Sequence, residues 1–181
     1  MTGMSATPFV ASGTVSRHRR PAQADERTTL VAFLRWHRET LKLKCADLVP
    51  AQLARRSVGS SALSLLGLVR HAAESERFWF RQVMAAEASS PWFGSGNPDD
   101  DFDVVGADEQ TVAQAFHAWQ TEVAFADHFI DEAPTLDIVG TEPGEGPVSL
   151  RWVLAHMLEE YARHNGHADL LREQIDGVVG L

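Results

Sequence analysis

Residues 149–177 read SLRWVLAHMLEEYARHNGHADLLREQIDG, and this stretch decides the fold. Ser149 offers a side-chain cap at one end, and Gly177 after Asp176 offers a stop at the other. The spacing therefore predicts one helix across the whole run. Its middle, His156 to Asp169, holds three histidines, three acidic residues and an arginine in fourteen positions. Yet Trp152, Val153 and Leu154 before it and Leu170 and Leu171 after it belong in a core. At about 100° per residue, Glu160 lies about 40° from His156, His164 about 80° and His167 about 20°. All four fall in an arc narrower than the usual apolar stripe. Glu160 and His164 are neighbours at i, i+4, and His164 and His167 at i, i+3. With a rise of about 1.5 Å per residue, His156 stands about 16 Å from His167, so one ion cannot hold both ends of the row. A helix that buries imidazoles and a carboxylate on one face lines a cavity.

Working outward, three more helices are predicted. The first runs over about 26–47, with Asp25 as cap and Leu30, Phe33, Leu34, His37, Leu41 and Ala46 at helical intervals, and Pro50 ends it. The second runs from about Ser61, its cap, to Glu87, with a stripe of Leu65, Leu68, Ala72, Ser75, Trp79 and Val83. The third covers about 108–133 and turns Val112, Ala115, Phe116, Trp119, Val123 and Ile130 inward. Between them, residues 89–107 are dense in Gly, Pro and Asp and read as a long loop, in which Trp92 and Phe93 either cover a pocket mouth or anchor the loop. Residues 134–148 break helix with three prolines and three glycines, and no strand-rich region appears. Residues 1–24, rich in Ser, Thr, Gly and Pro, read as a loose arm before one domain over 25–181. The expectation is an all-α four-helix bundle with long connecting loops, which need not be up-down-up-down.

The chain has 181 residues, enough for one compact domain, and 44% of them are hydrophobic. Sixteen basic against twenty-five acidic residues give a net charge of −9, which argues against a nucleic-acid partner and an anionic membrane surface. The single cysteine, Cys45, excludes an internal disulfide and a Cys-rich zinc site, and it reads as a packed thiol. No run is long and apolar enough to span a membrane. The basic residues of the first segment follow its mildly apolar part, the reverse of a secretory signal, so a cytoplasmic protein is expected.

Bundles build metal sites from inward side chains on facing helices. In SLLGLVRHAAESERFWF, His71 sits at the border of the buried stripe, where an unpaired imidazole costs about 1–3 kcal/mol. Such a histidine is usually a hydrogen-bonded structural residue, but a Glu–His pair on another inward face makes it a ligand candidate. Two His and one carboxylate suit Zn, Fe or Ni and leave positions open. His156 is a candidate supporting or core residue, and His37, His117 and His128 lack matching neighbours. Glu74 and Glu76, flanked by Arg70, Arg77 and Arg81, read as a solvated face. No phosphate loop, nucleophile elbow or zinc-protease motif occurs.

Three stretches, DERTTLVAFLRWHRETLKLKCADL, SLLGLVRHAAESERFWFRQVM and SLRWVLAHMLEEYARHNGHADLLREQIDG, resemble the DinB-like (DinB/YfiT) four-helix metal-binding superfamily. They look closest to a branch near the mycothiol-dependent maleylpyruvate isomerases, and the likeness spans about residues 25–177. The resemblance implies a divalent metal held by His71, Glu160 and His164. Many members carry a His-x-x-x-His pair where this chain has Glu160 and His164, and a glutamine where it has His167. His167 is therefore either a fourth ligand candidate or a pocket residue. The implied reaction is a thiol S-transfer or isomerisation on a small electrophile, with mycothiol as cosubstrate and the metal lowering the pKa of a bound thiol or water. The alternatives are a non-enzymatic metal- or small-molecule-binding bundle of the stress-response type, and a structural bundle with ordinary core histidines. The expected partner is a small molecule, with a homodimer left open.

Overall fold

A computed structural model describes residues 10–11, 13, 16–94, 100–104 and 106–180. Helix α1 spans Glu26–Lys44, α2 Pro50–Leu53, α3 Leu65–Glu76, α4 Glu109–Glu132 and α5 Leu150–Asp176. A π-helical stretch, Arg77–Met84, carries α3 onward, and a two-stranded antiparallel hairpin, β1 (Val139–Glu142) and β2 (Gly146–Ser149), precedes α5. The chain is thus mostly helical with one small sheet. No helix among the described residues is long and apolar enough to cross a membrane.

Local chemistry sets most helix ends. Asp25, Asp108 and Ser149 each accept a backbone N–H from the residue three positions on, satisfying first-turn donors that have no intrahelical partner. Gly177 closes α5 in the left-handed region at φ 79°, which glycine adopts without a Cβ penalty. Other ends differ from expectation. Helix α3 begins three residues later than predicted, because Ser64 rather than Ser61 caps it through Gly67 N–H at 3.1 Å. Ser61 instead folds its hydroxyl onto Leu63 N–H. Pro50 does not end α1, which stops at Lys44 with Cys45 as its cap; its fixed φ and missing donor instead suit the first turn of the short α2.

The connector 134–148, expected to be irregular, supplies the hairpin. Val139 pairs with Ser149 and Glu142 with Gly146, and the turn uses Gly144 and Gly146 at positive φ. The hairpin lies against the π-helical end of α3: a Cβ on Gly140 would come within 2.4 Å of the Val83 carbonyl oxygen. Only glycine permits that approach.

Helix α1 packs along α5, and α3 packs on α4 and α5. Leu34, Leu41, Leu65, Leu68, Phe80, Phe116, Ile130, Leu150 and Leu154 are almost wholly buried where these helices meet. At full burial each such side chain is worth about 1.5–3 kcal/mol. Part of the predicted arm lies outside the described residues. Of the rest, Arg20 covers the Trp36 ring at 3.9 Å, and Val10 is buried.

One polar network crosses this core. Arg38 on α1 forks onto Glu76 of α3 at 2.6 and 2.7 Å and reaches Asp127 of α4 at 2.7 Å. Tyr161 of α5 donates to the same Glu76 at 2.7 Å and accepts from Trp119 of α4 at 2.8 Å. Glu76 is fully buried, so the expected solvated face is wrong there. It is wrong for Glu74 as well. That carboxylate is buried, accepts the Arg77 guanidinium at 2.6 Å, and takes the backbone N–H groups of Trp92 and Phe93. Apart from Arg77, the partners come from α1, α5 and the loop after α3, all far off in sequence.

Candidate metal centre

His71 on α3 and the Glu160–His164 pair on α5 face each other where the two helices pack. One ligating atom from each lies within 4.8 Å of the other two. A Glu160 carboxylate oxygen stands 3.5 Å from His71 Nε2 and 3.3 Å from His164 Nε2. Ligand atoms about 2.0–2.1 Å from a tetrahedral ion are separated by roughly 3.3–3.4 Å along each edge. Two edges of the triangle are already at that spacing, and the donor set, two imidazole nitrogens and a carboxylate oxygen, fits a divalent transition metal. Leu41, Leu68, Ala72 and Met157 wall the small pocket, so the polar groups face each other in apolar surroundings.

The electrostatics follow from that enclosure. Burial works against charge on His71, but hydrogen bonds and charges from Asp101 and Glu160 outweigh it and lift its pKa to about 9. The His71 hydrogen bond, helped by the nearby His164 and His156, holds Glu160 down at about 2 although burial raises it. Burial and the positive charge of His71 push His164 down to about 4. At neutral pH the cluster therefore holds an ionised carboxylate, a neutral His164 and a proton on His71.

His167 does not join the convergence. Its Nδ1 approaches the Nδ1 of His164, at 3.4 Å, on the side of that ring turned away from Glu160. His156 stacks on Trp152 with ring centroids 5.0 Å apart and leans on Trp79 at 4.6 Å. His37 meets Asn165, while His117 and His128 are exposed. Trp92 and Phe93 anchor their loop: the Trp92 indole donates to Glu122 at 3.0 Å, and Arg70 lies over the Phe93 ring. Arg163 makes a surface pair with Glu159. Cys45 is fully buried and its thiol is pushed up to about 12 by burial, so it is no nucleophile.

The sequence reading missed Asp101 and Phe102. Asp101 Oδ2 lies 3.3 Å from His71 Nδ1, and the Phe102 ring stacks on His71 with centroids 4.8 Å apart. Both belong to a short 3-10 turn, Asp100–Phe102, in the long loop. A phenylalanine inside an acidic run was the one available signal.

The structure thus brings two histidines and a carboxylate, all from helices, into one triangle that could hold a metal ion. A family model for mycothiol S-transferases matches residues 29–177, and the chain belongs to that family, a branch of the DinB-like superfamily. No curated protein matches the chain. Among solved structures, a conserved protein from Enterococcus faecalis is similar, with a TM-score of 0.60 at 17% identity over 86% of this chain and 100% of that one. At that identity the likeness speaks to the fold alone.

Proposed function

We propose that the chain is a four-helix bundle working as a divalent-metal-dependent thiol S-transferase, with mycothiol as the thiol and a small electrophile as acceptor. The observation that carries the reading is the convergence of His71, Glu160 and His164, with Glu160 at coordination spacing from both histidines. Membership of the mycothiol S-transferase family supports the choice of thiol. A bound zinc, nickel or iron ion would supply Lewis-acid chemistry, lowering the pKa of a thiol sulfur so that it is nucleophilic at neutral pH.

The chain's own residues divide the remaining work. His71, Glu160 and His164 would hold the ion, and three protein ligands would leave coordination open to a further group. The apolar wall of Leu41, Leu68, Ala72 and Met157 lowers the polarity around the half-buried cluster and strengthens its charge interactions. The nucleophile comes from outside, because the one thiol of the chain is buried and held protonated. In the transfer the thiol sulfur bonds to the electrophilic carbon, the leaving group departs with its electron pair, and the thiol proton passes to solvent. His167, against the far nitrogen of His164, supports that ring.

The test is elemental analysis of protein purified without an affinity tag, followed by thiol conjugation of a model electrophile. About one equivalent of a transition metal and metal-dependent consumption of mycothiol are expected. Stoichiometric metal without turnover would reassign the chain to metal binding alone, and absence of metal binding would end the proposal.

A further inference from the structure

The segment 100–104 is pinned across α3 at three points. Arg70 donates to the Asp103 and Asp100 carbonyl oxygens at 3.1 and 3.3 Å, one on either side of Asp101 and Phe102. At Gly67, one turn before His71, a Cβ would meet the Phe102 Cα at 3.3 Å and its carbonyl oxygen at 3.5 Å, so helix and segment touch backbone to backbone. Asp101 is thereby carried inward until it is only 7% exposed, an unusual place for a carboxylate unless it has a fixed partner. Its Oδ2 faces His71 Nδ1 at 3.3 Å, while Phe102 covers the flat of the ring.

His71 is held in two directions by this arrangement. Phe102 stops the ring from tipping, and Asp101 occupies the nitrogen opposite the one that faces Glu160. An imidazole that donates Nδ1–H to a carboxylate presents its Nε2 lone pair on the other side. Such outer carboxylates fix the tautomer of a ligating histidine and raise its basicity.

We propose that Asp101 is a positioning residue: it holds His71 as the Nδ1–H tautomer and aims Nε2 at the Glu160–His164 pair. The inference rests on reading that triangle as a metal centre. It adds a fourth element to the site from a loop that would otherwise serve only as a connector. Arg70 belongs to the same device at one remove, clipping the segment so that Asp101 reaches the ring.

The experiment uses the full-length protein, zinc alone as probe, and chelator competition to read affinity. Asp101→Ala should bind zinc about 10–100-fold more weakly than wild type. Asp101→Asn keeps the shape and one acceptor oxygen, and it should fall between the two. In zinc-loaded wild type, ¹⁵N NMR should show His71 coordinated through Nε2 with a hydrogen-bonded proton on Nδ1, a readout that needs no variant to fold. Wild-type zinc binding with Asp101→Ala within threefold of it, or His71 coordinated through Nδ1, would overturn the role of Asp101 and leave the metal centre standing. Wild type that binds no zinc would remove the centre itself and this inference with it.

Discussion

The pH dependence of metal affinity follows from the charges packed around His71. With its pKa lifted to about 9, His71 keeps a proton through neutral pH, and that proton occupies the place an ion would take. His164 at about 4 and Glu160 at about 2 have already lost theirs. Binding between pH 5 and 8.5 should therefore expel one proton, from His71. The sign is unambiguous: below the raised pKa the proton opposes the metal, and as pH climbs the opposition fades and levels off above about 9. One proton displaced means about tenfold in apparent affinity per pH unit, or roughly a hundredfold from pH 6.5 to 8.5. Histidines at their ordinary pKa near 6.5 would give a curve nearly flat above pH 7.5. Competition of zinc against a chromophoric chelator, corrected for the chelator's own protonation, separates the two in the window from pH 7.5 to 8.5. A flat response there, or calorimetry showing no proton released at pH 7.5, would refute the reasoning.

Four further outcomes are expected. Arg38→Met strands Glu76 without its guanidinium in the core, and urea denaturation should show a loss of about 3–5 kcal/mol; a loss below about 1 would mean that water reaches Glu76. His164→Ala should lose stoichiometric zinc by elemental analysis while His167→Ala retains it, since His167 meets only the far nitrogen of His164; equal loss would make His167 a ligand. Gly140→Ala drives a methyl into the Val83 carbonyl and should cost about 1–3 kcal/mol in thermal unfolding. Gly166→Ala, on the exposed side of α5 with open space around it, should instead stabilise by about 0.5–1 kcal/mol.

What could be read without coordinates was whatever depends on near neighbours in the chain. The caps at Asp25 and Ser149 and the stop at Gly177 are decided within four residues, and they were legible. The Glu160–His164 pair was legible for the same reason, being one turn of one helix. The start of α3 was not, because Ser61 and Ser64 are chemically equivalent caps. The burial of Glu74 and Glu76 was illegible: their partners Arg38, Tyr161 and the Trp92–Phe93 backbone lie 18 to 85 positions away. Asp101 was hidden among like charges. The run DDDFD has the composition of a solvated loop, and only its docking on Gly67 and Arg70 singles out one carboxylate.

The Arg38–Glu76–Tyr161 network draws one member or more from each long helix, and this has a consequence for how α5 is turned. Apolar contacts alone tolerate some rotation of a helix about its axis, since one leucine serves about as well as the next. A phenol that must meet both a buried carboxylate and an indole N–H does not. Tyr161 thus acts as an angular key for α5. Glu160 is the preceding residue, about 100° around the same axis, so fixing the phenol dials the carboxylate toward His71. A slipped or over-rotated assembly would leave Glu76 facing hydrocarbon and the ligand triangle open, and one penalty would guard both the packing and the site.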